Sequence, residues 1–527
     1  MEFEKGEYHF KSASAHPLSF GISNHDQSAR HQVLFPMLGM KNVSIKANGS
    51  RFLSDSPVIA FAVVNSTNVS FNGFSLDSER PAMTEAIVKG FDHSHTFVSI
   101  DMSRYPFSTE GGRIVMTASG WTSPVTHLIV FDGENGGIVP GSGDVGFNGT
   151  AEMLGDGTVS LGIDLRKSVT NVKPGDVVVL RPERRPSPVF FVSDSSNVAL
   201  TDIVVHDGHG MALLAQHSED VSWVGTGPAG KRLSGVFPSG GRASSTHADA
   251  THFSNVKGEV VVENCYFEGM MDDAINVHST CLSIRSIGVD GEVVCQYMHY
   301  QAEGFDVFRP GERVRFLKSG TLEEYSELCI VEAAKLISSN LVLLKLGGLP
   351  PKGVVVGDAV ENADFQPSVT FRNNIVRGNR ARGALFTTPK PVIVEGNIFE
   401  RVSGSAVLLA GDISRWYESG RCEDVVVRAN VFSNCCASAW LHGYCGGVVS
   451  IWPTVPRNAT APYHRNISVN DNVFHSFDVP LLYGIAASNV VFSGNSVRRN
   501  SDYPGWGKGD FDFSRCWDVK VSPPAAE

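Results

Sequence analysis

Three aspartates and several histidines lie in two short stretches that resemble each other. Residues 247–253 are His-Ala-Asp-Ala-Thr-His-Phe, and residues 271–278 are Met-Asp-Asp-Ala-Ile-Asn-Val-His. Asp249 and Asp273 occupy equivalent positions at an offset of 24 residues (273 − 249), and Asp272 directly precedes Asp273. Paired carboxylates suit glycoside hydrolysis, in which one carboxylic acid protonates the leaving oxygen and another carboxylate activates water. The same residues would also suit a solvated acidic surface or a calcium site.

A repeat along the chain explains how the two stretches could meet. The pattern is V-x-V-x-x-N-x-F, and successive clear copies are 23, 33 or 42 residues apart. The clear copies begin at Val369, Val392, Val425, Ile467 and Val490, and weaker copies begin at Val43, Val69, Val198 and Val260. One unit is too small to bury its own apolar face, so stacked units must form the core. The pattern predicts a right-handed parallel β-helix with an inward asparagine ladder, and it disfavours a β-sandwich with unrelated turn asparagines.

The register of this repeat brings charged residues into one column. Asp273 and Arg382 both lie 13 residues after the start of their units (260 + 13 and 369 + 13), and Asp249 precedes Asp273 by one coil. Because adjacent strands are about 4.8 Å apart, we expect Asp249 and Asp273 to be neighbours, with Arg382 one coil beyond. The consecutive Asp272 and Asp273 would face opposite sides of a regular strand. Residues 269–271, Gly-Met-Met, indicate a turn or bulge that lets both reach the surface.

The predicted fold class is all-β, a right-handed parallel β-helix with two inserted small antiparallel β-barrels. Residues 90–190 and 286–366 interrupt the repeat with alternating strands, and the coil pattern resumes after each of them. The β-helix would then comprise residues 1–89, which begin with a capping strand, residues 191–285, which carry the aspartates, and residues 367–527. A chain of 527 residues with 53 glycines and 42% hydrophobic residues is compatible with such a solenoid.

Composition and motif spacing disfavour several other functions. A net charge of −11 without a Lys/Arg run makes nucleic acid and membrane surfaces poor candidate partners. The longest apolar run, residues 58–64, is shorter than the roughly 18 residues that a membrane span needs. Ser-His-Asp catalysis lacks a nucleophile-elbow motif, and His247 and His252 have no Cys or third His at zinc-ligand spacing. A polysaccharide lyase needs a Lys or Arg base, and we expect a single arginine near the aspartates.

The stretches around the aspartates resemble the signature of the glycoside hydrolase family 110 α-1,3-galactosidases. The resemblance rests on residues 248–253 and 267–278, with further similar pieces at residues 210–216, 380–383 and 416–420. It implies a β-helix with inserted barrels that removes terminal α-1,3-linked galactose, as in blood group B structures, by inversion and without a metal or other cofactor. The substrate would be an oligosaccharide or polysaccharide with terminal α-galactose, and a homodimer is compatible with this architecture.

The resemblance also implies roles for individual residues. Asp272 matches the general acid, and Asp249 and Asp273 match the pair assigned as general base. Trp416 is expected either to stack on the apolar face of the sugar or to be a core residue. The residues expected to hold the galactose, or to support those that do, are Arg382, Trp416, Glu418, His252, Asn276 and His278.

Two alternatives stay open from the sequence. Family 28 polygalacturonases share the predicted fold and use an Asp followed by an Asp-Asp pair, with Gly-His-Gly and Arg-x-Lys after the pair. Here Gly-His-Gly, residues 208–210, precedes the pair and no matching Arg-x-Lys follows it. The second alternative is a non-catalytic carbohydrate-binding β-helix in which the aspartates are structural or bind calcium.

The N-terminus and the cysteines give weaker indications. Residues 1–4, Met-Glu-Phe-Glu, show neither the basic nor the apolar segment of a signal peptide, and for the full-length protein we expect a secreted or periplasmic location. Nine cysteines leave at least one free thiol unless an intermolecular bridge forms, and residues 422–445 are the region where a disulfide would be expected first.

Overall fold

The main body of the chain is a parallel β-helix with two inserted antiparallel barrels, which confirms the predicted fold class. The computed structural model describes residues 1–28, 30–154, 157–438, 445–455 and 459–526. Each coil contributes strands to three parallel sheets. Several long strands bend from one sheet into the next, so one strand can belong to two sheets.

Pairing from coil to coil defines the three sheets. The first contains His31–Leu38, Ile59–Val64, Phe190–Ser193, the first halves of Leu213–Val224, Thr251–Glu263 and Ile275–Ile287, and then Ala384–Phe386, Val407–Leu409, Val449–Ile451, Leu482–Ile485 and Phe511–Ser514. The second contains the first halves of Lys41–Ser54, Thr67–Ser78 and Ser196–Val205, the second halves of Leu213–Val224 and Thr251–Glu263, and then Ser368–Arg372, Val392–Glu395, Glu423–Arg428, His464–Asn470, Ala487–Ser493 and Trp517–Val521. The third contains Glu7–Phe10, the second halves of Lys41–Ser54, Thr67–Ser78 and Ser196–Val205, and then Gly235–Val236, Tyr266–Glu268, Ile375–Arg377, Ile398–Glu400, Val431–Ser433, Val473–Ser476, Ser496–Arg499 and Ala525–Ala526.

The first insertion is an antiparallel sheet that curls back on itself. Hydrogen bonds from Ile114 N–H to the Gly149 carbonyl (2.8 Å) and from Ala151 N–H to the Gly112 carbonyl (2.9 Å) join its two ends. Its strands are Thr84–Phe91, Thr96–Ile100, Phe107–Glu110, Arg113–Ala118, Trp121–Phe131, Val145–Gly146, Ala151–Met153, Thr158–Leu161 and Val177–Pro182.

The second insertion is a closed ring of antiparallel strands. It begins within the strand Ile275–Ile287, whose first half pairs in the β-helix and whose second half pairs in the barrel. The other strands are Glu292–Gln296, Arg313–Leu317, Cys329–Ser338, Leu341–Leu346 and Ala359–Asn362. The predicted segment limits therefore cut through two strands. Residue 90 lies within Thr84–Phe91, which pairs with Val177–Pro182, and residue 286 lies within Ile275–Ile287.

The remaining regular elements are short. Two strands pair antiparallel with the first sheet or its extension, and they are His16–Leu18 and Glu418–Ser419. The described residues also form 3₁₀ turns at Ser12–Ser14, Leu165–Lys167, Ala229–Lys231 and Tyr300–Ala302.

Within the described ranges, no helix has the length and apolar character needed to cross a membrane. All nine cysteines are free thiols. The homodimer stays a prediction, because a single chain is described.

The predicted asparagine ladder runs through the interior of the solenoid, where the second and third sheets meet. The backbone N–H of Asn374 donates to Asn397 Oδ1 (2.8 Å), and the same bond repeats from Asn397 to Asn430 (2.9 Å), from Asn430 to Asn472 (3.0 Å) and from Asn472 to Asn495 (2.9 Å). All five side chains are buried. The ladder satisfies backbone groups that the turn would otherwise leave unpaired in the core, and this explains why the repeat contains Asn at that position.

Removal of one rung is expected to destabilise the solenoid. In Asn430→Ala, the Asn397 N–H and amide lose their shared acceptor, and the Val394 carbonyl loses its 2.9 Å donor. Each buried group left without a partner costs about 1–3 kcal/mol, so we expect the free energy of unfolding to fall by about 3 kcal/mol or more. Urea unfolding followed by circular dichroism measures this change. The control is Ser433→Ala, a partly exposed position in the same coil, and an equal effect in both variants would contradict the role of the ladder.

Candidate active site

One row of side chains on the outer face of the first sheet forms the floor of a cavity. Parallel pairing places His252 beside Asn276, Asn276 beside Leu385, and Leu385 beside Leu408. Their sequence neighbours point inward, since alternate residues of a strand face opposite sides, and Phe253 accordingly lies in the core. The cavity above the row has a volume of about 380 Å³. This size lies within the range of small-molecule sites.

The walls of the cavity come from segments that are distant in sequence. Asp412 fixes one wall, because its carboxylate accepts hydrogen bonds from the backbone N–H groups of Ser414 (2.7 Å) and Trp416 (2.6 Å). The Trp416 ring stacks on His299 of the second barrel with centroids 3.7 Å apart. The residues that line the walls are Asn24, Arg185, Met211, Asp249, Asp272, Arg380, Arg382, Ala410, Gly411, Asp412, Arg415, Trp416, Glu418, Trp452 and Thr454.

The three predicted aspartates converge at one end of this cavity. Oxygens of Asp249, Asp272 and Asp273 lie within 4.8 Å of one another. Asp249 and Asp272 line the cavity, whereas Asp273 is fully buried behind them. The expectation that a turn or bulge at residues 269–271 lets both Asp272 and Asp273 reach the surface is wrong for Asp273, because the two consecutive side chains face opposite sides. Gly269 adopts a φ of 71°, and a Cβ there would lie 2.3 Å from the Ala243 carbonyl oxygen, so glycine is required at this turn.

Arginines surround the carboxylates. The buried Asp273 accepts hydrogen bonds from the backbone N–H and from Nη2 of Arg382, both at 2.8 Å. Arg380 Nη1 lies 3.3 Å from Asp272 Oδ1, and Arg185 Nη2 lies 3.9 Å from Asp272 Oδ2. The expectation of a single nearby arginine is therefore wrong. Arg185 follows the first barrel and lies outside the repeat, so the register could not place it.

A chain of hydrogen bonds leads from the cluster into the protein. Asp249 Oδ2 lies 2.6 Å from His252 Nδ1, and His252 Nε2 lies 2.8 Å from His278 Nε2. His278 Nδ1 lies 3.2 Å from the Ser279 carbonyl oxygen. Glu418 is beside the chain, with Oε1 3.6 Å from His278 Nε2. Both histidines are buried, with His252 in the floor of the cavity and His278 behind it.

Comparison with known proteins shows which family combines this fold with this sequence. The model of the GLAA-B beta-barrel domain I matches residues 84–178, and that of the GLAA-B beta-barrel domain II matches residues 292–360. An Alpha-1,3-galactosidase B of Akkermansia muciniphila is 44% identical over 99% of this chain and 66% of its own length. An Alpha-1,3-galactosidase B of Bacteroides fragilis (strain YCH46) is 33% identical over 99% of this chain and 89% of its own length. The chain belongs to the glycoside hydrolase family 110 α-1,3-galactosidases.

The family models coincide with the two insertions, since both matched ranges fall on barrel strands. This chain spans 66% of the length of the Akkermansia relative, just under two thirds, and 89% of the length of the Bacteroides fragilis relative. Among solved structures, a family 28 exopolygalacturonase of Yersinia enterocolitica is similar over 99% of this chain and 73% of its own, with a TM-score of 0.40 and 10% sequence identity.

The structure brings most of the predicted site residues together around the cavity. His278 and Asp273 do not line it and lie behind residues that do. The predicted residues that line the cavity are Asp249, Asp272, Arg382, Trp416, Glu418, His252 and Asn276.

Several lining residues were missed from the sequence. Arg380 lies two positions before Arg382 in the Arg-Ala-Arg-Gly piece, residues 380–383, so the sequence motif that pointed to Arg382 also contained Arg380. Trp452 follows the strand Val449–Ile451 and could have been placed by the repeat. Asn24 and Arg185 come from segments without a repeat register and carried no such signal.

Burial and the arginines set the protonation of the carboxylates. Burial, together with the Asp272 charge, raises the pKa of Asp249 well above its ordinary value of 3.8. Burial likewise raises the pKa of Asp273, and Arg382 offsets only part of that effect. Burial also acts on Asp272, but the charges of Arg380 and Arg382 outweigh it and lower the pKa of Asp272. In the free protein Asp272 is therefore the first of the three to ionise.

Two groups of described residues offer metal-type ligand atoms, Asp249/Asp272/Asp273 and His252/His278/Glu418. Zinc-ligand spacing in the sequence does not reveal His278, which lies near His252 only because the two strands are adjacent. The ligand atoms are already engaged, because the two Nε2 atoms face each other at 2.8 Å and Asp273 is held by Arg382. We therefore assign no metal to either group.

Proposed function

We propose that the chain is an exo-acting, inverting α-1,3-galactosidase that releases terminal α-1,3-linked galactose from blood group B-like or linear glycans. The observation that carries the proposal is the convergence of Asp249, Asp272 and Asp273 at the end of a sugar-sized cavity. Family membership supports it, because the relatives at 44% and 33% identity are both named Alpha-1,3-galactosidase B. The cavity has walls on several sides, which suits the end of a glycan better than its middle.

The lining of the cavity favours a neutral sugar. Arg380 is paired with Asp144 (2.9 and 2.5 Å) as well as with Asp272, and Arg382 is paired with Asp273. These two positive charges are compensated within the protein, so neither is free to pair with the carboxylate of an acidic sugar such as a uronate. Trp416 and Trp452 supply aromatic surface for the apolar face of a galactose ring.

We propose Asp272 as the general acid, with Asp249 and Asp273 as the general base pair. Asp272 borders the cavity and lies against Arg380, which can hold the carboxyl in position. Its low pKa means that the proton must reach it after substrate binding.

The anomer of the released galactose tests the proposal. We expect Galα1-3Gal and the fucosylated B trisaccharide to yield galactose, with β-galactose appearing first in a ¹H NMR time course. Inversion is usually associated with carboxyl groups about 6.5–9.5 Å apart and retention with about 5–5.5 Å. The oxygens of the three aspartates here lie within 4.8 Å of one another, which is nearer the range for retention. Early β-galactose would therefore be a result that this distance alone does not favour.

Each outcome of that time course has a distinct meaning. Early α-galactose would replace inversion by retention while leaving the galactosidase activity intact. Absence of galactose release, together with binding of the disaccharide by isothermal titration calorimetry, would overturn the enzyme proposal in favour of a sugar-binding β-helix.

A further inference from the structure

The buried chain Asp249–His252–His278 has a defined set of donors and acceptors. Carbonyl oxygens only accept hydrogen bonds, so the contact with the Ser279 carbonyl requires a proton on His278 Nδ1. A neutral His278 then has a bare Nε2, and the 2.8 Å contact needs a proton on His252 Nε2. A neutral His252 in turn has a bare Nδ1, which must accept from a protonated Asp249 across 2.6 Å.

These contacts fix the number of protons in the chain. A carboxylate with two neutral imidazoles cannot make all three contacts, because two lone pairs would then face each other at one of them. One additional proton satisfies every contact, and it can reside on Asp249, on His252 or on His278. Moving it from Asp249 to His278 breaks the Oδ2–H and His252 Nε2–H bonds and forms the His252 Nδ1–H and His278 Nε2–H bonds. No atom leaves the chain in this transfer.

We propose that Asp249, His252 and His278 form a relay that carries one proton, and that in the reactive form this proton resides on His278. Asp249 is then ionised, with Oδ2 held by His252 Nδ1–H, and its other oxygen is available to take a proton from water. Glu418, 3.6 Å from His278 Nε2, stabilises the protonated imidazole. The inference rests on the proposed role of Asp249 as a base, and it makes His252 and His278 positioning residues.

The relay resolves a difficulty in the proposed mechanism. Burial raises the pKa of Asp249, which by itself would keep this carboxyl protonated and useless as a base. A proton withdrawn through two rings leaves the carboxylate ionised without any release of protons to solvent. The charged and titratable groups that face the relay and contribute to its pH dependence are Asp272, Asp273, Glu418, Arg185, Arg382 and His25.

The substitution His278→Gln tests the relay. The Gln amide can donate to His252 Nε2 or accept from it, so the hydrogen bond survives, but the amide cannot hold the proton. Asp249 must then lose its proton to solvent before it can act. We expect the acid limb of kcat/KM for Galα1-3Gal to move up by about one pH unit or more, which is about a tenfold loss at pH values below the limb. Above the new limb, kcat/KM should return to near the wild-type value, and KM should change little.

The matched control is His464→Gln, a buried histidine of a later coil whose Nδ1 accepts from the Cys422 N–H. Its pH profile should keep the wild-type acid limb. A uniform loss in His278→Gln, at all pH values, would show a merely structural role and overturn the relay. All buffers contain EDTA so that adventitious cations stay off the imidazoles.

Wild-type protein provides a second measurement that does not depend on the folding of a variant. The 2.6 Å Asp249–His252 contact should give a strongly downfield exchangeable proton in the ¹H NMR spectrum throughout the pH range of activity. Loss of this signal within that range would overturn the relay. If wild-type protein releases no galactose, the proposed function fails instead, and the signal still reports on the chain itself.

Discussion

Asp272→Asn is expected to reduce kcat for Galα1-3Gal by about a thousandfold, the scale of a lost general acid. The leaving group of this substrate is a sugar hydroxyl, which departs poorly without a proton. For 2,4-dinitrophenyl α-galactoside, whose leaving group needs no proton, we expect a loss of only about tenfold. Steady-state kinetics on both substrates measure the contrast, which identifies the acid because only that role depends on the leaving group.

Asp249→Asn is the matched comparison for this prediction. A base variant should lose activity on both substrates alike, and azide should restore turnover by attacking without the need for a base. Equal losses of Asp272→Asn on the two substrates would contradict its assignment. If Asp249→Asn shows the leaving-group contrast instead, the two roles are exchanged, an order that the raised pKa of Asp249 and the lowered pKa of Asp272 in the free protein would also fit.

The sequence repeat accounts for much of the site because three of its residues stand in equivalent positions. Asp249, Asp273 and Arg382 lie on successive coils in the structure, where hydrogen bonds link Ala250 N–H to the Asp273 carbonyl and Arg382 N–H to the Asp273 carboxylate. A repeat predicts such neighbours because parallel pairing preserves position from coil to coil. The asparagine ladder was predictable for the same reason.

The directions of individual side chains were not predictable in this way. Asp272 points to the cavity and Asp273 to the interior, opposite sides as for consecutive residues of a strand, and the repeat alone does not tell which of the two faces the cavity. His278 stands two residues beyond Asn276, the partner of His252, so the His–His contact is a diagonal one on the same face. Diagonal neighbours could have been sought from the register.

Contacts between distant segments account for the residues that were missed. Asp144 of the first barrel holds Arg380 against the aspartate cluster, and Asn24 donates to Glu418 across 3.2 Å. These contacts depend on how barrel and N-terminal segment pack on the solenoid. Neither segment shares the repeat, so the sequence offered no register by which to place them.

Arg382→Met is expected to destabilise the fold as well as the site. Asp273 is fully buried, and Arg382 Nη2 is the side-chain cation that lies 2.8 Å from its carboxylate. Breaking a buried ion pair by removal of one partner typically costs about 3–5 kcal/mol, so we expect a loss of about 3 kcal/mol at neutral pH. Urea unfolding at several pH values between about 4 and about 8 measures the loss and its pH dependence.

The sign of that pH dependence follows from the raised pKa of Asp273. Its folded pKa already lies above the ordinary 3.8, and loss of the Arg382 charge raises it further. The folded variant then binds the proton more tightly than the unfolded chain does, so stability falls as pH rises from 3.8 towards the folded pKa. The loss of unfolding free energy caused by Arg382→Met should therefore be smaller at acid pH. The double variant Arg382→Met/Asp273→Asn removes the buried charge and should recover most of the loss, whereas a pH-independent penalty without recovery would mean that Arg382 stabilises the fold through packing alone.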